Sequence, residues 1–113
     1  MSVHKLDLKQ IKEVLNKWTF TKHAEQRILE RINGDNMNDC INILTTSILT
    51  TQFGYENTDG CYNIAVTDTT YIVVAIGKYS NTVITYKEPS HNKYTVRDKY
   101  QLALKGVLRW GVT

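Results

Sequence analysis

The hydrophobic rhythm of the chain changes near residue 51, and that change does most to fix its fold class. Before it, apolar residues recur at helical spacing; after it, they alternate or run together as strands do. Leu8, Ile11, Leu15 and Trp18, with Val14 beside them, share one side of a helix expected from about Leu6 to Lys17, with Asp7 as its N-cap. Thr21 can cap a second helix from Lys22 to about Asn33, whose apolar stripe is Ala24, Ile28 and Ile32, widened by Leu29. Gly34 follows as a stop. Asp35 or Asn36 can then open a third helix that buries Met37, Cys40, Ile41, Leu44 and Ile48. Its end stays open, because Thr45-Thr46 and Thr50-Thr51 favour strand.

Beyond the change, strands are expected at Thr51–Tyr55, around Tyr62, Ile64 and Val66, at Tyr71–Ile76 and at Thr82–Tyr86. Asp59-Gly60 is a strong hairpin signal, and Pro89 ends the strand region. Thr95 can cap a last helix, 96–109, in which Val96, Tyr100, Ala103 or Leu104, and Val107 keep helical spacing. The expected architecture is α+β: N-terminal helices packed on one face of a four-stranded antiparallel sheet, with a C-terminal helix. No linker, repeat or low-complexity stretch divides the chain, so residues 1–113 read as one domain.

The longest uncharged run, Cys40 to Tyr55, is too rich in threonine to be a membrane helix, and no apolar leader follows Met1. A cytoplasmic protein without membrane association is expected. Its formal charge of +3 is unevenly placed. Residues 1–31 hold seven Lys/Arg against four Asp/Glu, and residues 32–113 hold seven of each. That surplus is too small to bind duplex DNA by charge alone, but it suits a local anion site. Cys40 and Cys61 stand apart, outside any Cys-x-x-Cys pattern, and are expected as buried thiols. His4, His23 and His91 are scattered, and the six glycines build no phosphate loop, so neither metal nor cofactor is expected.

The positive charge comes to a point on the second helix. At about 100° per residue, His23, Arg27 and Arg31 fall within an arc of about 80°, beside the Ala24/Ile28/Ile32 stripe. A helix docked by that stripe holds the basic side chains at the border of the packed interface, where partial burial strengthens guanidinium groups as anion ligands. The same spacing also describes a solvated basic face paired with Glu25 and Glu30.

The segment Thr21-Lys22-His23-Ala24-x-x-Arg27-x-x-x-Arg31-Ile32, followed by a helix and a strand meander closing on Val83-Ile84-Thr85-Tyr86, resembles a group of small bacterial and phage proteins. Their signature is His-Ala-x-x-Arg-x-x-x-Arg ahead of an antiparallel sheet. That group is similar to the RelE-like (barnase–EndoU–colicin–RelE) ribonucleases and toxins. The resemblance covers residues 20–86. It implies a metal-independent ribonuclease or toxin-type RNA-binding domain, with RNA, the ribosome included, as partner, or an antitoxin or other protein as target. It assigns His23, Arg27 and Arg31 on the helix, with Thr85 or Tyr86 on the last strand, to attack of an RNA 2′-OH on the adjacent phosphate. Lys22, Lys87 and His91 flank them as substrate-binding candidates, and His91 is also the candidate second acid or base. A non-catalytic scaffold of this kind, used as a phage-type protein-binding inhibitor or host-takeover factor, is the alternative; a DNA-binding regulator fits less well, since no helix-turn-helix is legible.

Two aromatic groups complete the reading. Tyr55, Tyr62, Tyr71 and Tyr79 lie in or beside strands and are expected half-buried, with hydroxyls at the edge, rather than presented to bases. Trp18 and Trp110 are expected to anchor the terminal helices in the core.

Overall fold

The computed structural model describes residues 3–88 and 94–106. Each helix starts at a short polar side chain that accepts one of the backbone N–H groups left over at the first turn. Asp7 opens α1 (Leu8–Asn16) in a reciprocal capping box with Gln10. Thr21 opens α2 (Lys22–Arg31), Asn36 opens α3 (Met37–Thr51), and Thr95 opens α4 (Val96–Leu104) with Asp98 as its reciprocal partner. Helix α3 runs through both threonine pairs. The hydroxyls of Thr45 and Thr50 donate back to the carbonyls of Ile41 and Thr46, at 2.8 and 2.7 Å, which holds strand-favouring residues in the helix. Gln52, at φ 51°, then ends it in the left-handed region.

Six strands follow the chain: β1 (His4–Lys5), β2 (Trp18–Phe20), β3 (Gly54–Glu56), β4 (Tyr62–Ala65), β5 (Tyr71–Ile76) and β6 (Asn81–Lys87). They form one sheet in the order β1-β3-β4-β5-β6-β2. The expected four-stranded antiparallel sheet is therefore corrected. Strands β3 to β6 do form an antiparallel meander, but β1 extends one edge and β2 joins the other in parallel to β6. Trp18 accordingly sits in an edge strand, 4.9 Å from the Phe20 ring; it packs partly buried against the core as expected, but from a strand and not from the end of the first helix. Trp110 lies outside the described residues.

Helices cover both faces, not one. Alternation along β4, the residue after it and β5 sends Ile64, Val66, Ile72 and Val74 into a core shared with Ile11, Ala24, Ile28, Leu44 and Ile48 of α1 to α3. The opposite face carries Phe53, Tyr55, Ala65 and Tyr71, which pack against Val96, Tyr100 and Ala103 of α4. Tyr100 meets the Phe53 ring edge-on at 5.7 Å, and the Arg97 guanidinium lies 4.3 Å from the same ring. The buried amide of Asn63 on this face is satisfied by donating to the Tyr55 hydroxyl at 2.9 Å and accepting from Asn57 at 3.0 Å.

The phase of β6 is set by a bulge. Val74 pairs with Val83 but Val73 pairs with Thr85, so Ile84 is an extra residue in the ladder. Without it, Val83 and Tyr86, three apart, would face opposite sides; with it, both enter the core beneath α2.

Burial pushes the phenols of Tyr55, Tyr71 and Tyr86 above their ordinary 10.0. A folded state that holds a proton more tightly than the unfolded chain loses stability as pH rises. The contribution is intact below the unfolded-state value of about 10 and is lost as pH climbs toward the raised folded-state values. Urea midpoints are expected to stay level with respect to these groups through neutral pH and to fall above about pH 10. A midpoint unchanged well into that alkaline range would contradict the burial of these hydroxyls.

Candidate functional site

One hydroxyl joins the second helix to the sheet. Thr21 Oγ1 accepts from Ala24 N at 3.1 Å, capping α2, and donates to the Ile84 carbonyl at 3.0 Å. Thr21 N also donates to the Val83 carbonyl at 3.0 Å, so α2 begins where β2 stops pairing with β6 and then runs on alongside it. Ala24 and Ile28, both fully buried, seat the helix, and the basic side chains fall at the rim as the spacing required.

His23 is exposed and its Nε2 lies 3.2 Å from Thr85 Oγ1; which of the two donates depends on the imidazole tautomer. The register places Thr85 opposite Val73, on the α4 side of the sheet. Tyr86 lies across from Ile72 on the other side and is only 6% exposed. Thr85 and Tyr86 are thus not interchangeable partners for His23. Neighbours on one strand must point to opposite faces, and the histidine meets the threonine.

Arg31 and Tyr86 mark the far end. Arg31 Nε is 3.1 Å from Glu88 Oε1, an ion pair between half-exposed side chains. The Tyr86 phenol is pushed up by burial first, then by the charge of Glu88, while Arg31 opposes the rise. Near neutral pH Tyr86 is therefore a hydrogen-bond donor and not a base. Eight residues at 1.5 Å each separate His23 from Arg31, about 12 Å along the helix, and Arg31 is already engaged by Glu88. Glu88 carried no signal in the sequence, because it follows the strand and is brought to Arg31 only by pairing at long range. The expected partners Glu25 and Glu30 make no ion pair among the described residues, where Arg31–Glu88 is the one found.

Arg27 lies between the two ends. Its Nε is buried with no hydrogen-bond partner, and no carboxylate among the described residues pairs with it. An unpaired guanidinium N–H held away from water costs about 1–3 kcal/mol or more, and it leaves the positive charge uncompensated. With Nε sealed by the packing, the terminal nitrogens are the edge available to an anion. Lys22 and Lys87 are exposed beside this region, at the start of α2 and the end of β6. His91 lies outside the described residues.

Two further expectations change. Cys40 is buried as expected, but Cys61 is only half-buried, with burial first and then Asp59 pushing its thiol up, which disfavours the thiolate. Tyr55 and Tyr71 are buried in the sheet, whereas Tyr79 is 80% exposed in the β5–β6 turn, against the half-buried expectation. Among the described residues, no three His, Cys, Asp or Glu side chains gather closely enough to hold a metal ion. No described helix is long and apolar enough to cross a membrane. No family model, curated protein or solved structure matches the chain.

Proposed function

We propose that this chain binds RNA at the His23–Arg27 rim and cleaves it by attack of a 2′-OH on the adjacent phosphate, as a RelE-like ribonuclease or toxin domain does. The observation that carries this reading is the pairing of an exposed imidazole with the Thr85 hydroxyl at 3.2 Å, beside a guanidinium without a counter-charge. His23 takes the 2′-OH proton as the 2′ oxygen bonds to phosphorus. The P–O5′ bond breaks, and the departing oxygen takes a proton from solvent. Arg27 stabilises the charge that grows on the non-bridging oxygens, and Thr85 holds the imidazole or donates to the phosphate. Arg31, already paired with Glu88, contributes to orientation more than to charge.

A second reading has its own support. Histidine is the side chain that exchanges protons near neutral pH, and among the described residues His23 is the one such group at the rim. Cleavage of this kind gains from an acid as well as a base. A non-catalytic scaffold that grips an acidic protein partner, as an inhibitor or host-takeover factor would, uses the same Arg27 without needing the second group.

Incubating RNA with the protein in EDTA separates them. The nuclease reading expects products ending in 2′,3′-cyclic phosphate, lost when the RNA is replaced by its 2′-deoxy analogue. Intact RNA across varied sequences and loops would remove that reading.

A further inference from the structure

Helix α4 covers only part of its face of the sheet. The cluster beneath it draws on β3, β4 and β5 and, among the described residues, on nothing from β6 or β2. The register places Thr82 opposite both Ala75 and Thr19, and Thr85 opposite Val73, so a strip of this face is floored by small and hydroxyl-bearing side chains. The Thr19 and Thr82 hydroxyls lie 3.4 Å apart, Thr19 is exposed, and Ile84 at the bulge is 38% exposed. From Thr82 to Lys87 the strip is about 17 Å long at about 3.3 Å per residue.

Charge within the strands is one-sided there, and Glu88, next after β6, is paired with Arg31. Strands β2, β5 and β6 and the turn after β5 contain Lys78 and Lys87 and no Asp or Glu, while Lys17 and Lys22 flank β2. The His23–Thr85 contact lies within the strip, two residues short of its Lys87 end. Beyond the other end stands Tyr79, the most exposed large aromatic described, with Lys78 Nζ 5.5 Å from one side of its ring.

We infer that this strip is the path of a single strand of RNA, whose phosphates follow the lysines to His23 while one base stacks on Tyr79. The inference deepens, and rests on, the RNA-binding reading above. An exposed ring with a lysine on one side offers its other side to a base, and such stacking tolerates any sequence. Threonine hydroxyls along the floor can bond sugar or base edges. A protein partner fits less well, since interface centres are depleted in lysine. Duplex RNA fits less well too, because its bases are turned inward and the modest charge cannot hold it by backbone alone.

Fluorescence anisotropy with a short labelled 2′-O-methyl RNA single strand, which resists cleavage, tests this against wild type, Tyr79→Ala, Thr19→Glu and Lys78→Gln. Both Tyr79 and Thr19 are exposed, so their variants fold; circular dichroism checks it. Loss of one stacked base is expected to weaken binding about tenfold in Tyr79→Ala. Thr19→Glu is expected to weaken it as well, and Lys78→Gln to lower the slope of log affinity against log salt by about 0.7. Wild-type affinity in both Tyr79→Ala and Thr19→Glu, with Arg27→Ala still impaired, overturns the path while leaving the RNA reading in place. Equal affinity for duplex overturns it too. If wild type binds neither form of RNA, both fall together.

Discussion

Replacing His23 with Ala is expected to lower the rate of RNA cleavage by about 100- to 10,000-fold, the range of a lost general acid–base group. Stability should change little. The side chain is exposed and its one hydrogen bond, to Thr85, is worth about 1 kcal/mol at most in such a setting. His23→Gln sharpens the comparison. A glutamine amide can bond the Thr85 hydroxyl but cannot carry a proton from one atom to another. If Gln restores cleavage, the residue positions rather than transfers; if Ala and Gln fail alike while RNA affinity holds, proton transfer is its role. Single-turnover cleavage in EDTA reads the rate, and wild-type rates in both variants would falsify the assignment.

The second large effect is on stability. Ile28→Ala is expected to cost about 2–5 kcal/mol, since a fully buried side chain leaves a cavity that its neighbours fill only in part. That is a large share of the roughly 5–15 kcal/mol that holds a domain of this size together. The loss falls on α2 in particular, because Ala24 and Ile28 are its two buried residues. Leu29→Ala, one position along and 49% exposed, should stay within about 0.5 kcal/mol and serves as the control. Urea denaturation measures both. A cost below about 1 kcal/mol for Ile28→Ala would mean that α2 is not seated on the sheet as described.

The contrast between these two residues shows which parts of the molecule were legible in the chain. Helices announce themselves locally: Asp7, Thr21, Asn36 or its neighbour, and Thr95 each precede a periodic stripe, and all four are the observed caps. Buried Ala24 and Ile28 follow from the same periodicity. Strand β2 does not announce itself. Three residues, Trp18 to Phe20, show too little alternation to read, and their partners lie 63 positions away. The side of the sheet taken by α4 was equally hidden, since an amphipathic helix declares that it has a buried face and not which surface it meets.

The candidate site divides in the same way. The stripe His23, Arg27 and Arg31 is a property of one helix and was visible. Its pairing with Thr85 depends on how β6 is phased, and that phase depends on one extra residue, Ile84, in a ladder formed by two other segments. Glu88 belongs to the same class of long-range consequence. Arg27 was visible as a charge, but the lack of any counter-charge among the described residues could be seen only once the sheet had placed the carboxylates.

The Ile84 bulge also gives this region an unusual kind of slack. Substitutions at Thr85 or Tyr86 alter one side chain each, and the rest of the strand keeps its orientation. Deleting Ile84 would remove only the extra residue: Val83 and Tyr86 would then stand two apart, and a regular ladder would keep both in the core with Thr85 still facing His23. In a strand without a bulge the same loss would turn every downstream side chain to the other face. A ladder that carries a spare residue can absorb a shortening that a regular ladder cannot.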